Sequence, residues 1–185
     1  MNPKAEEAHK HKLKKIKAKK ASVDADGNVE YYICESCGRF FADKNGQKEI
    51  KKSQVIVSLQ VKKGEVLKKA DGTSYQVADA KKLQVSYVSP SKRKSGTVNI
   101  PSKVIIGGKT YQVTKIKKNA FKNNKKIKKI VIPSSVVSIE NYAFANCKNL
   151  KTIEIRTTKL KNKKISSKAF KKINKKVVIR VLKKQ

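Results

Sequence analysis

The feature that most constrains this 185-residue sequence is a repeat that runs from Val113 to Val181. The dipeptide Ala-Phe occurs three times, and an isoleucine lies four residues before each alanine. The three copies are Ile116 with Ala120-Phe121, Ile139 with Ala143-Phe144, and Ile165 with Ala169-Phe170. Their phenylalanines are 23 and 26 residues apart. A unit this short cannot bury its own apolar side, so the repeat predicts a solenoid whose units stack on one another.

Aliphatic residues also return nine and eleven positions after each phenylalanine. These pairs are Ile130 and Ile132, Ile153 and Ile155, and Ile179 and Val181. Alternate residues of a strand point to opposite faces, so we expect these pairs to face the core. Val98 to Ile100 fits the same pattern and predicts the first strand of the series. The outward row is then Asn99, Val131, Glu154 and Arg180, flanked by Lys129, Thr152 and Val178.

The rest of the chain is predicted to be mainly β, with short helical and loop segments. Alternating apolar residues predict strands in Gln54 to Val61 and in Ser74 to Val88. Four segments follow from these patterns. They are a basic N-terminal arm (1–20), a small β-hairpin module with a Cys-x-x-Cys motif (21–52), a β-strand cap or linker (53–96) and a solenoid of about three rungs (97–185).

The charge of the chain limits the kinds of partner it can have. Lysine and arginine total 47 against 13 acidic residues, for a net charge of +34, and residues 81–185 hold 30 of the bases and only 2 of the acids. Such a density attracts nucleic acid, anionic lipid or an acidic cell-wall polymer in a salt-dependent way. Only four of the basic residues are arginine, and there is no tryptophan. This composition disfavours sequence-specific recognition of nucleic-acid bases. Alternatively, the lysines form a solvated coat that keeps the protein soluble.

Catalytic and membrane-spanning segments are not predicted. The only histidines are His9 and His11, and the only acids beyond residue 80 are Glu140 and Glu154. The repeats therefore offer few side chains that could act as a general acid or base, and no enzyme is expected. No run reaches the roughly 18 apolar residues of a membrane span, and residues 1–20 lack the apolar stretch of a signal peptide. Either the protein is intracellular, or the sequence is a fragment of a longer exported chain.

The motif Cys34-x-x-Cys37 is the one candidate for metal chemistry. Two thiolates on a tight turn supply half of a tetrahedral zinc site, and His9 or His11 adds a third ligand, with no fourth ligand assigned. A local disulfide in an exported chain and a reduced pair of minor structural importance are the alternatives. No other cofactor is expected. Cys147, inside the repeat, is predicted to fill the core.

The sequence of residues 131–155 closely resembles the BspA-type leucine-rich repeat. It reads Val-Ile-Pro-Ser-Ser-Val-Val-Ser-Ile-Glu-Asn-Tyr-Ala-Phe-Ala-Asn-Cys-Lys-Asn-Leu-Lys-Thr-Ile-Glu-Ile. The resemblance covers roughly residues 97–185. It implies a right-handed solenoid with one short strand per rung. It also implies a surface or secreted protein of bacteria, including gut Firmicutes and Bacteroidetes, that adheres to host or matrix proteins.

Residues 11–50 resemble a small cysteine-bearing module that accompanies such repeats in clostridial surface proteins. In that module a histidine, a cysteine and a later Cys-x-x-Cys can occur together. His11, Cys34 and Cys37 match this pattern, whereas Ser22 stands in the place of the earlier cysteine. The resemblance therefore implies a metal site of His11, Cys34 and Cys37 that lacks one ligand.

Taken together, these patterns predict a non-catalytic extracellular binding or adhesion module of a bacterial surface or secreted protein. Its partner is expected to be a host or matrix protein or an anionic cell-wall polymer, bound through the strand face and the lysine-rich flanks. One alternative is a cytoplasmic binder of nucleic acid or another polyanion, driven by net charge and active at low salt. The other is a passive structural spacer.

Overall fold

The computed structural model of this chain describes residues 9–91, 95–156, 160 and 164–181. It divides into two compact units, Met1–Leu59 and Gln60–Gln185. Short strands dominate both units, and the only α-helix among the described residues is a single turn. In the same part of the chain, no helix is long and apolar enough to cross a membrane.

The described part of the first unit is a small antiparallel assembly. Its elements are β1 (Leu13–Ile16), β2 (Gly27–Asn28), β3 (Tyr31–Cys34), β4 (Phe40–Phe41), β5 (Glu49–Ile50), α1 (Lys52–Val55) and β6 (Ile56–Val57). One sheet has the order β1-β3-β4-β5, and β2 pairs with β6 in a second. Within the segment predicted as a hairpin module, β3 and β4 form an antiparallel pair. Residues 9–20 differ from the predicted arm, because β1 pairs along the whole of β3.

The strand predicted for residues 54–61 is wrong over most of its length. A helical turn occupies Lys52–Val55, and only Ile56–Val57 is extended in a strand. The Gln54 side chain explains the difference, since its Oε1 accepts a hydrogen bond from the backbone N–H of Lys51 at 2.7 Å and closes the turn. Local side-chain bonding of this kind competes with the strand that the apolar alternation favours. Val55 is buried, and its carbonyl accepts the Val29 N–H at 3.0 Å.

The second unit joins a mixed sheet to the repeats. Its strands are β7 (Val66–Lys68), β8 (Ser74–Asp79), β9 (Gln84–Ser89), β10 (Gly96–Asn99), β11 (Lys103–Ile106), β12 (Lys109–Ile116), β13 (Ile127–Ile132), β14 (Ser138–Ile139), β15 (Thr152–Ile155) and β16 (Val178–Val181). The mixed sheet has the order β11-β12-β9-β8-β7, and β14 pairs with β12. β9 runs parallel to β12, so the segment predicted as a cap is hydrogen-bonded to the start of the solenoid.

The repeats build a parallel sheet in the order β10-β13-β15-β16. The isoleucines that sequence spacing assigns to the core pair across it, with Ile130 beside Ile153, and both are fully buried. The isoleucines that precede each Ala-Phe form a second parallel ladder, in which Ile139 lies between Ile116 and Ile165. The predicted β-solenoid of about three turns is confirmed.

A column of stacked rings runs through the core of the solenoid. Phe144 stacks on Phe121 with ring centroids 5.3 Å apart and on Phe170 with centroids 5.4 Å apart. Tyr87 of β9 stacks on Phe121 at 5.5 Å and extends the column into the mixed sheet. Each rung thus contributes one ring, and the ring of one rung is covered by the ring of the next.

The last described strand departs from the expected burial. Ile179 and Val181 stand in register with Ile153 and Ile155, yet they are 46% and 60% exposed. β16 is the outermost strand of its sheet, and no described strand lies on its far side. Its side chains therefore have a neighbouring rung on one side only.

Candidate functional site

The strand face of the solenoid carries the residues that the sequence assigns to binding. The structure aligns Asn99 with Val131, Val131 with Glu154, and Glu154 with Arg180 across four parallel strands. The flanking row aligns in the same way, through Lys129, Thr152 and Val178. Thr97 stands opposite Lys129 and completes this row. Sequence reasoning missed Thr97, although its position two residues before Asn99 matches that of Lys129 before Val131.

The middle of this face is closed, which differs from the open row expected. Val131 and Glu154 are only 6% and 8% exposed, whereas Asn99 and Arg180 are exposed. Two long side chains close over the carboxylate. Lys129 Nζ lies 2.8 Å from Glu154 Oε2, and Arg156 Nε donates a hydrogen bond to Oε1 at 2.6 Å. Strand alternation predicts that Glu154 points outward, but it does not predict that Lys129 and Arg156 cover its carboxylate.

The contacts with Lys129 and Arg156 change the pKa of Glu154. The hydrogen bond from Lys129, followed by that from Arg156, holds the pKa of Glu154 below its usual value, against the opposing effect of burial. The other acid of the repeats, Glu140, lies 3.1 Å from Lys117 Nζ, and its Oε2 accepts the Lys118 N–H at 3.0 Å. Both acids beyond residue 80 are therefore ion-paired.

A basic cleft lies beside the ladder that contains β14. Its volume is about 570 Å³, and three lysines contribute to its lining together with serine, asparagine and Glu140 side chains. The lysines are Lys115, Lys118 and Lys164. Such a cleft presents ammonium groups and hydroxyls to the solvent, which suits an anionic group better than an apolar one.

The histidines and the two N-terminal cysteines come together in the first unit. β3 ends at Cys34, where the backbone turns so that the Gly38 N–H donates to the Cys34 carbonyl at 2.9 Å. The Glu35 N–H donates to the Lys12 carbonyl at 2.9 Å, which ties this turn to the segment that precedes β1. That pairing brings the residues next to Lys12 against the cysteine turn.

The cluster contains four potential metal ligands, one more than the sequence pattern assigns. One donor atom each from His9, His11, Cys34 and Cys37 lies within 4.8 Å of the others. His9 Nε2 is 3.6 Å from Cys34 Sγ, and His11 Nδ1 is 3.6 Å from Cys37 Sγ. Both cysteines are free thiols. Ser22 bonds locally instead, since its hydroxyl accepts the Ala25 N–H at 3.2 Å.

The environment of Cys34 favours its thiolate. Burial raises the pKa of this thiol, but hydrogen bonds from the Cys37 N–H and from the two histidines outweigh burial and bring the pKa to about 5. Cys147 has the opposite setting. It is buried in the solenoid with Sγ 2.9 Å from the Phe121 carbonyl oxygen, and burial raises its pKa. Cys147 therefore fills the core, as its place in the repeat predicted.

The amino-acid sequence of the repeat region matches a known family. The family model described as a BspA type leucine rich repeat region (6 copies) matches residues 97–182. A comparison with curated proteins gave no match.

Solved structures of other bacterial proteins are similar to part of this chain. A leucine-rich cell surface protein from Faecalibacterium prausnitzii is 21% identical with a TM-score of 0.46, over 65% of this chain and 32% of that protein. The pneumococcal vaccine antigen PcpA is 19% identical with a TM-score of 0.47, over 66% and 39%. A leucine-rich repeat protein from Bacteroides capillosus is 16% identical with a TM-score of 0.43, over 68% and 99%. The chain thus spans well under half of the first two proteins.

Proposed function

We propose that the chain is a binding module of a bacterial surface or secreted protein, because residues 97–182 match the BspA-type leucine-rich repeat. Its partner is a host or matrix protein or an anionic surface polymer. The strand face and the lysine-rich flanks make the contact. The location outside the cell rests on the resemblance of the repeat to surface proteins, and the cytoplasm is the alternative.

The observation that carries this proposal is the continuous row of side chains across the four parallel strands. Each strand contributes one residue to the row, from Asn99 at one edge to Arg180 at the other. Neighbouring strands lie about 4.8 Å apart, so the row is about 14 Å long. A row of fixed spacing, with exposed polar residues at its two ends, suits recognition of an extended ligand.

A non-catalytic role is part of the proposal. The repeats contain no histidine, and their two acids, Glu140 and Glu154, are held in ion pairs with lysines. A general base must be free to accept a proton from a substrate, whereas both carboxylates are already paired with lysines, and the lowered pKa of Glu154 makes it a weaker base. The arrangement therefore supports binding rather than catalysis.

The second candidate function is binding of a polyanion through charge alone. Residues 81–185 carry 30 basic and 2 acidic residues, and the cleft with Lys115, Lys118 and Lys164 concentrates part of that charge. Counterion release would drive such binding, so its affinity would fall steeply as salt rises. Heparin, duplex DNA and a teichoic-acid-like polymer are suitable ligands for this test.

The experiment measures binding of the purified chain to these polymers and to a panel of matrix proteins over about 50 to 200 mM salt. The face variants are Asn99→Ala and Arg180→Ala, because both side chains are exposed and their loss should leave the fold intact. A ligand that survives high salt and is lost with these variants identifies the strand face as a receptor surface. If the binding of every ligand is lost together over the salt series, the strand face is not a specific receptor surface, and the polyanion function is supported.

A matched pair of triple variants separates the basic cleft from general charge. The cleft variant replaces Lys115, Lys118 and Lys164 with alanine. The control replaces three exposed lysines elsewhere in the repeats, Lys125, Lys128 and Lys148, and removes the same charge. Equal weakening by the two variants assigns binding to net charge, whereas a larger effect of the cleft variant assigns it to the cleft. Absence of any ligand supports the passive spacer.

A further inference from the structure

We propose that His9, His11, Cys34 and Cys37 together form one tetrahedral zinc site, with His9 as the fourth ligand. This site lies in the first unit, outside the family match at residues 97–182, and it does not depend on the binding function proposed for the repeats. The four residues come from two places in the chain, the segment that precedes β1 and the turn that follows β3.

The spacing of the donor atoms is close to that of a zinc tetrahedron. Zn–S bonds of about 2.3 Å and Zn–N bonds of about 2.0 to 2.1 Å place a sulfur and a nitrogen ligand about 3.5 to 3.6 Å apart. The two sulfur–nitrogen distances, from His9 to Cys34 and from His11 to Cys37, are both 3.6 Å. No pair of donors is more than 4.8 Å apart, so closing the tetrahedron shortens any one donor–donor distance by about 1.4 Å at most.

The donor set selects zinc among common metals. Two thiolates with two imidazoles form the Cys₂His₂ set of structural zinc sites, whereas calcium and magnesium prefer oxygen ligands. The nearest carboxylate in sequence is Glu35, and it is engaged elsewhere, because its Oε2 lies 3.0 Å from Lys12 Nζ. A site with four protein ligands leaves no open position, which indicates a structural rather than a catalytic ion.

The first unit also has a physical need for such a site. Among its described residues, the buried apolar side chains are only Cys34, Phe41 and Val55. Domains of about 60 residues or fewer with small cores often require a metal or disulfides to fold. The histidine–cysteine contacts join residues 25 and 26 positions apart, so one ion would close a long loop and restrict the unfolded chain.

Backbone pairing brings the two segments that carry the ligands together. The Glu35 N–H and Lys12 carbonyl are paired at 2.9 Å, and β1 pairs with β3 from Leu13 opposite Cys34. The His11 ring also packs on the buried Phe41 ring, with centroids 4.6 Å apart. These contacts place the two histidines against the turn with the two cysteines, so all four ligands lie close together in the folded unit.

The test is zinc binding by the full chain, purified under reducing conditions and freed of metal with a chelator. Metal content after dialysis against zinc gives the stoichiometry, and competition with a chromogenic chelator gives the affinity. Replacement by cobalt(II) reports the geometry, because tetrahedral cobalt with thiolate ligands has an intense visible absorption. The variants are His9→Ala, Cys34→Ser and Cys37→Ser. Lys10→Ala and Ser36→Ala are the controls, since both residues are exposed and lie between ligands.

We expect one zinc ion per chain and a tetrahedral cobalt spectrum for the wild type and both controls. His9→Ala should weaken zinc binding by at least about 10-fold and change the cobalt spectrum, because a water would take the fourth position. Substoichiometric zinc in the reduced wild type overturns the site, and this result needs no variant to fold. Wild-type affinity in His9→Ala overturns the role of His9. Recovery of the chain only as a Cys34–Cys37 disulfide, with no zinc bound after reduction, assigns the cysteines to a disulfide instead.

Discussion

Removing one ring from the stacked column should show how strongly the rungs depend on one another. Phe144 is fully buried and lies between two rings, whereas Phe170 is half-buried and is described with one ring neighbour. Phe144→Ala removes the side chain from a site that its neighbours cannot fill. We expect it to reduce the free energy of unfolding by about 3 to 5 kcal/mol.

Two further variants separate the contributions to that loss. Phe170→Ala should cost less, about 1 to 2 kcal/mol, because part of its surface is already exposed. Phe144→Leu keeps most of the volume but loses the ring contacts, each of which is worth about 0.5 to 1.5 kcal/mol. We therefore expect its cost to lie between those of the two alanine variants, or close to that of Phe170→Ala.

Urea unfolding followed by tyrosine fluorescence and far-ultraviolet circular dichroism measures these losses. The chain has six tyrosines and no tryptophan, so the tyrosine signal is unobscured. Equal losses for Phe144→Ala and Phe170→Ala would refute the reasoning, because they would mean that stability does not depend on how many neighbours a rung has. Coincident transitions by both probes are needed before free energies are compared.

Three more expectations follow from single residues. Lys172 is exposed with φ +54°, a left-handed conformation that asparagine adopts more easily, so Lys172→Asn should stabilise the chain by about 0.5 to 1 kcal/mol in thermal unfolding, and Lys171→Asn should not. The pKa of Glu154 is lowered on folding, so its contribution to stability is present above its ordinary pKa of 4.5 and is lost as pH falls through the folded value. Glu154→Gln should therefore weaken the dependence of the urea midpoint on pH in the acid range. An unchanged slope would contradict a stabilising role for the contacts of Glu154 with Lys129 and Arg156. Cys147 has its Sγ buried, so the native chain should resist a thiol reagent at this position until urea unfolds the solenoid, as mass spectrometry of the labelled peptide would detect.

The sequence predicted the register of the solenoid because register there depends on spacing alone. Ile130 and Ile153 pair as the nine-residue offset from each phenylalanine requires, and Asn99 and Arg180 fall at opposite ends of one row. Tyr87 was missed as a member of the ring column, because it has no Ala-Phe context and belongs to a strand before the repeat. Only the parallel pairing of β9 with β12, which places Tyr87 opposite Ile116, reveals its role.

The histidine–cysteine cluster shows a different limit of sequence reasoning. His9 and His11 are two residues apart, and in an extended segment such residues lie on the same side of the chain. That signal was available in the sequence. It did not decide whether both histidines reach the cysteines, because the answer depends on the antiparallel pairing of β1 with β3, a long-range contact. The sequence analysis missed the helical turn at Lys52–Val55 for the opposite reason. There a local hydrogen bond outweighs the apolar alternation that predicts a strand.

The buried centre of the strand face restricts how a ligand can use it. Val131 and Glu154 contribute little accessible surface, and both oxygens of the Glu154 carboxylate are already paired, one with Lys129 and the other with Arg156. For the ligand that we propose for this face, the affinity is therefore expected to come from the exposed residues at its two ends. These ends lie about 14 Å apart, a distance that about four residues of extended peptide cover. A ligand held by Asn99 and Arg180 together must then be at least that long, whereas a shorter ligand can engage only one edge of the solenoid.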